Sequence, residues 1–117
     1  MTYLEKAQDI YNMMAQGQMM EAFEKYYAEN VVMQELGEEP RVGKDVNRQF
    51  EIQFMSSIKE MHGAGVTAMA SNEDQKVVFI ENWMDVTFMD GNRINMMQVN
   101  VQYWDGDFIA KEIFYHK

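Results

Sequence analysis

Apolar residues recur first at helical spacing. Tyr3, Leu4, Ala7, Ile10, Tyr11 and Met14 fall three and four positions apart, which places them on one face of a helix, and Gly17 interrupts the pattern. Thr2 followed three residues later by Glu5 is a capping box, so the helix starts there. A second, shorter helix is predicted over residues 18–28, with Met19, Met20, Phe23, Tyr26 and Tyr27 on its apolar side and Glu29 or Asn30 ending it. The strand VVMQE and the loop LGEEPRVG follow. Val46, Phe50, Phe54 and Ile58 then repeat every four residues, which predicts a third amphipathic helix over residues 44–57.

Beyond that point the period drops from helical spacing to simple alternation. EMHGAGVTAMAS, KVVFIENWMDVTF, RINMMQVNVQYW and FIAKEIFYH read as strands, separated by NEDQ, MDGN and DGD. The Asp-Gly pairs at 90–91 and 105–106 are hairpin turns, because glycine tolerates the positive φ such turns require. Four antiparallel strands therefore form a meander. Helices first and a long sheet afterwards predict an α+β cone, three N-terminal helices packed on a curved, mostly antiparallel β-sheet. No repeat or linker divides residues 1–117, so a single domain is expected.

Composition narrows the functions open to such a fold. With 47% hydrophobic residues and one proline, the chain has enough apolar surface to offset the entropy of ordering it, which excludes a disordered segment. Nineteen acidic against ten basic residues give a net charge of −9, and no run of Lys or Arg interrupts that field. Nucleic acid and anionic membrane surfaces are therefore not expected partners. The absence of cysteine removes disulfides, thiolate nucleophiles and zinc ribbons. No apolar run reaches signal-peptide or membrane-spanning length, and a cytoplasmic location is expected. Thirteen methionines read first as adaptable core filler, since Met is common in ordinary cores, and only second as the lining of a cavity. No metal-spaced His/carboxylate cluster, nucleotide-binding glycine motif or nucleophile elbow occurs, and Ser56, Ser57 and Ser71 stand outside any such context. Cofactor-free chemistry or plain binding remains.

Helices laid across a curved sheet leave a concave, mostly apolar space for a small hydrophobic molecule. Candidate polar groups follow from strand parity. Val31, Met33 and Glu35 share one face of their strand and Val32, Gln34 and Leu36 the other; each face carries two apolar residues, so alternation does not say which way Glu35 points. Gln98, Asn100 and Gln102 form a polar face opposite Met97, Val99, Val101 and Tyr103, and a half-solvated sheet would turn that polar face outward. Glu112 alternates with Phe108, Ala110, Phe114 and His116, an acid on an apolar face, and burial there would raise its pKa. His62 precedes flexible glycines and is either an acid/base partner for Glu35 or a hydrogen-bonded structural histidine. Trp83 and Asp85 share a face, where Trp83 offers a flat wall for an unsaturated ligand or packs in the core or a dimer.

The order helix, helix, YYAENVVMQELGEEPRVGKD, helix and meander ending VQYWDGDFIAKEIFYH resembles the SnoaL-like and ketosteroid-isomerase-like families of the nuclear transport factor two superfamily. The resemblance covers essentially the whole chain and is carried mainly by residues 26–43 and 103–115. It implies a pocket in which Glu35 stands where steroid isomerases keep their carboxylate general base, Tyr11 lies within one residue of their donor tyrosine, and Asn100 lies near their donor acid. An amide donates a weaker bond than a protonated acid, a departure from that pattern. Together with the residues read from parity, the expected catalytic set is Glu35, His62, Tyr11 and Asn100, with Met33, Trp83, Asp85, Gln98, Glu112 and Phe114 lining the ligand pocket. The expected chemistry is isomerisation or cyclisation of a hydrophobic carbonyl compound without cofactor or metal. The alternative is a non-catalytic ligand-binding or assembly module. The two long strands carry more apolar residues than three short helices can cover, so a homodimer is expected.

Overall fold

Thr2 starts the first helix by the chemistry its spacing predicts. Its hydroxyl accepts from Glu5 N at 3.0 Å, and Glu5 Oε1 accepts from Thr2 N at 2.8 Å. The computed structural model describes residues 1–116. Helix α1 runs Tyr3–Ala15 and stops where Gly17, at φ +77°, lets Gly17 N and Gln18 N donate back to Met14 O and Met13 O, a Schellman cap. Glu73, in the turn between two distant strands, accepts from Tyr3 N and Leu4 N at 2.8 and 3.2 Å and ties the helix start to the sheet.

Helix α2 (Met19–Tyr26) ends two residues earlier than its spacing predicts, and β1 (Tyr27–Glu35) starts four residues earlier. The cause is long-range. Tyr27 already pairs with Ile109, and its hydroxyl donates to Glu112, contacts no helix continuation could make. Within the expected loop, Arg41–Val42 forms a short edge strand, β2, with Val42 opposite Val32 and Arg41 opposite Met33.

Helix α3 (Lys44–Ser56) forms as expected but in a different rotation. Lys44 and Asn47 are buried, whereas Val46 is 53% and Phe50 37% exposed. A repeat of four overshoots the 3.6-residue turn by about 40° per step, so the line from Val46 to Phe54 winds around the helix rather than along one face. The inward line is Asn47, Glu51 and Phe54, and Phe54 meets Phe88 edge-on at 6.2 Å.

The remaining strands are β3 (Ile58–Asn72), β4 (Val77–Phe88), β5 (Arg93–Asp105) and β6 (Phe108–His116). The sheet order is β2-β1-β6-β5-β4-β3, with β1 and β6 parallel and every other pair antiparallel. Register decides which side chains share a face. Met33 stands opposite Glu112, Glu112 opposite Gln102, and Gln102 opposite Val78, so all four face the same way. That is the helix side, since Ala7, Ile10, Ala22, Phe23 and Tyr26 pack there against Val31, Met33, Val78 and Ile80. The outer face is left without helices and exposes Phe79, Met97 and Tyr115 at 45, 63 and 40%. No helix among the described residues is long and apolar enough to cross a membrane.

Candidate functional site

The polar face of β5 is the one turned towards the helices. Asn100 and Gln102 are buried, and both amides donate to Glu112 Oε2 at 3.4 Å while the Tyr27 hydroxyl donates to Oε1. Glu112 is 1% exposed and has no cation among its hydrogen-bond partners. Burial pushes its carboxyl up to about 7; the bonds from Tyr27, Gln102 and Asn100 work against that shift, and the charge of Glu51 adds to it. Trp104 Nε1 donates to Gln102 Oε1 at 3.2 Å, which aims the Gln102 amide nitrogen at the carboxyl.

Two helices bring titratable groups against this cluster. From α1, the Tyr11 hydroxyl accepts from Asn100 Nδ2 at 2.9 Å. Burial first, and then the nearby Glu112, push the Tyr11 phenol far above its ordinary range, so it stays protonated. Its own proton has no acceptor among the described residues, and Tyr11 lines a cavity of about 230 Å³ with Gln8, Asn12, Val66 and Met69. From α3 comes Glu51, half-buried and without a hydrogen bond or ion pair among the described residues. Its carboxyl is pushed up to about 7 by burial, with Arg41 opposing and Glu35 reinforcing the shift. A larger surface depression, about 590 Å³ over Met20, Glu21, Glu24 and Lys25, holds none of these buried groups.

Glu35 lies on the helix side of β1, opposite Phe114, and is half-buried. Arg41 Nη1 donates to Glu35 Oε2 at 2.5 Å. Arg41 is held in turn by Asn47, whose Oδ1 accepts from Nε at 3.1 Å and whose Nδ2 donates to Gly43 O and Arg41 O at 2.8 and 3.0 Å. The fully buried Asn47 therefore ties β2 to the start of α3.

The structure gathers Glu35, Tyr11, Asn100, Met33, Glu112 and Phe114 on the helix side, together with Gln98, which donates to Asn82 Oδ1 at 3.4 Å. It does not bring Trp83, Asp85 or His62 there. Trp83 and Asp85 pair with Met97 and Asn95, the opposite parity from Asn100, so both sit on the outer face. Trp83 covers Gly63 and Gly65, and Asp85 is bound by Arg93 at 3.0 and 3.1 Å. His62 Nε2 bonds Thr87 Oγ1 at 2.7 Å on the edge strand and meets no part of the Glu35 cluster. Sequence reasoning missed Glu51, Arg41 and the role of Tyr27. The available signal was the polar pair Asn47 and Glu51, four apart and in phase with Phe54, which a strict 3.6-residue count would have placed inward.

Three helices cover one face of the sheet, with buried carboxyl, phenol and amide groups meeting between the layers, which defines an α+β cone. Solved structures name the class more closely. A protein from Mesorhizobium loti, provisionally assigned as a SnoaL-like polyketide cyclase, is 29% identical, with a TM-score of 0.84 over 99% of this chain and 100% of its own. A provisionally assigned isomerase from Bacillus subtilis is 16% identical, with a TM-score of 0.83 over 100% of this chain and 90% of its own. A nuclear transport factor two-like protein of unknown function from Burkholderia pseudomallei is 11% identical, with a TM-score of 0.83 over 98% and 90%. No family model and no curated protein matches the sequence. The chain has the SnoaL-like, nuclear transport factor two-like fold.

Proposed function

We propose that this protein binds a small hydrophobic carbonyl compound between α1, α3 and the sheet and moves a proton on it, as an isomerase or cyclase does, with Glu51 as the proton acceptor. The observation that carries the reading is Glu51 itself, a carboxyl with no hydrogen bond or ion pair among the described residues, pushed up to about 7 by burial. A base with a pKa near the working pH is present in its active form and is still strong enough to take a proton. In this reading Glu51 takes a proton from the carbon beside the carbonyl, the electron pair moves onto the carbonyl oxygen, and Tyr11 donates its free hydroxyl proton as a hydrogen bond to that oxygen. Asn100 orients Tyr11, and Glu112 with Tyr27 forms the floor behind them. Glu35, where the family resemblance puts the base, already holds Arg41 and acts here through it. The provisional cyclase and isomerase assignments of the structural neighbours support this class of chemistry.

The test uses 2-tetralone, a hydrophobic ketone with acidic protons beside its carbonyl, in D2O, with deuterium uptake followed by NMR. Wild type is expected to accelerate exchange, and Glu51→Gln to slow it by roughly 10²- to 10⁴-fold, the usual cost of losing a general base. Glu35→Gln is expected to cost less. If exchange is as fast in Glu51→Gln as in wild type, Glu51 is not the base. If wild type binds the ketone without exchanging it, the chain is a binding module.

A homodimer formed through the outer sheet face accompanies this proposal. Exposed Phe79, Met97 and Tyr115 lie there on three adjacent strands.

A further inference from the structure

We propose that Arg41 is a ligand-binding residue, which hydrogen-bonds an uncharged oxygen acceptor of the ligand through Nη2. The inference rests on the reading above that a carbonyl compound binds between α1, α3 and the sheet. Among the described cations, Arg41 is held in an unusual way. Nε donates to Asn47 Oδ1 at 3.1 Å, Nη1 to Glu35 Oε2 at 2.5 Å, and Cζ lies 3.6 Å from the centre of the Phe50 ring. Those three contacts fix both the position and the plane of the guanidinium. Its remaining arm, Nη2, is buried and has no hydrogen-bond partner among the described residues.

Buried donors are almost always paired, so an arm left over in an otherwise fully constrained guanidinium points to a partner that is not part of the chain. Other strongly engaged cations leave nothing comparable. Lys44 Nζ donates to Glu24 O at 3.0 Å, and Arg93 is bidentate with Asp85. Asn47, Phe50 and Glu51 are spaced by three and four on α3, so the guanidinium packs against the helix face that carries Glu51. The charge of Arg41 acts on the Glu51 carboxyl, so the unpaired donor and that carboxyl lie close together.

Charge defines the acceptor. Glu35 neutralises Arg41, and Glu51 and Glu112 are the other acids around the site, so a carboxylate or phosphate would meet more repulsion than attraction. A ketone, ester or amide oxygen accepts an N–H of Nη2 without adding charge. The ligand thus carries an oxygen at Arg41 in addition to one within reach of Tyr11.

The experiment separates the two donors. Affinities of 2-acetylnaphthalene and 2-ethylnaphthalene, alike in shape but only one bearing a carbonyl, are measured by titration calorimetry against Tyr11→Phe and against Tyr11→Phe/Arg41→Lys. The ketone is expected to bind about tenfold more tightly than the hydrocarbon in Tyr11→Phe, and less than about threefold more tightly once Arg41→Lys is added. A merely structural Arg41 would weaken both ligands together and leave the ratio alone. That outcome overturns the proposal, as does the absence of a preference in Tyr11→Phe. Glu35→Gln gives a second reading should the double variant not fold. With Arg41 no longer neutralised, 2-naphthoate is expected to gain about fivefold or more relative to the ketone, and no gain overturns the assignment of an uncharged acceptor. Failure here leaves the deuterium exchange of 2-tetralone untouched, since that test depends on Glu51 and not on Arg41.

Discussion

Glu112 has hydrogen-bond partners on both oxygens, yet none of them carries a positive charge. Its ionised form is solvated by dipoles alone, and those are weaker than the water it has lost. The consequence for stability has a definite sign. Its folded pKa of about 7 lies above the ordinary 4.5, so the folded state holds the proton more tightly than the unfolded chain does. The stability this contributes is fully present below about 4.5 and is lost as pH rises through about 7, a decline on the order of 3 kcal/mol from Glu112 alone, to which Glu51, also raised to about 7, adds its own. Carboxyls held low by hydrogen bonds, such as Glu5, Asp9 and Glu73, change stability in the opposite sense at lower pH. The diagnostic window is therefore pH 5 to 8. Glu112→Gln can point its oxygen at Asn100 and Gln102 and its amide at Tyr27, so it keeps the network without a titrating proton. Urea midpoints should fall from pH 5 to pH 8 in wild type and fall distinctly less in Glu112→Gln; an equal fall in both would show that Glu112 does not titrate there.

The elements show how neighbours override local pattern. Strand β3 bulges between Met61 and Gly63 and again between Val66 and Ala68, and the two glycines it carries lie beneath Trp83. A Cβ added at Gly63 would stand 2.9 Å from Trp83 Cη2, and one at Gly65 would stand 3.0 Å from Nε1. Glycine at these positions is a packing requirement, since a close approach of ring to backbone leaves no room for a methyl group. Gly63→Ala should then destabilise by about 1–2 kcal/mol in urea unfolding and shift Trp83 fluorescence, the cost of moving a large ring out of contact. A neutral or stabilising result would mean that the indole swings aside freely. The same stacking accounts for Trp83 being unavailable as a pocket wall.

For the whole molecule, the asymmetry of the sheet is the leading fact. All three helices lie on one face, and the other exposes Phe79, Met97 and Tyr115 on adjacent strands β4, β5 and β6. Exposed apolar side chains grouped on one sheet face favour association with a second copy through the same surface. Sedimentation equilibrium at micromolar concentration is expected to give twice the 13.8 kDa chain mass. Met97→Glu, at the most exposed of these positions, should return it to a single chain while leaving the helix-side cluster intact. A single-chain mass for wild type would leave the outer face without its proposed partner.

Much of this was legible in the sequence because it is written locally. A capping box, a glycine stop, two Asp-Gly turns and a change of period depend on residues within a few positions of one another, and they determined α1, two of the three hairpins of the meander and the α+β order. Family resemblance carried the overall architecture to the whole chain. What tertiary structure decided were the choices on which local pattern is silent. Alternation alone could not say whether Glu35 or the Gln98, Asn100 and Gln102 face turns inward. Register across the sheet settled it by placing Asn100 opposite Phe114 and Ile80, and Glu35 opposite Phe114. The end of α2 at Tyr26 followed from pairing between Tyr27 and a strand more than eighty residues away. Glu51 became a candidate site residue only through the rotation of α3, because a carboxyl has no unusual pKa until distant elements close around it and take its water away.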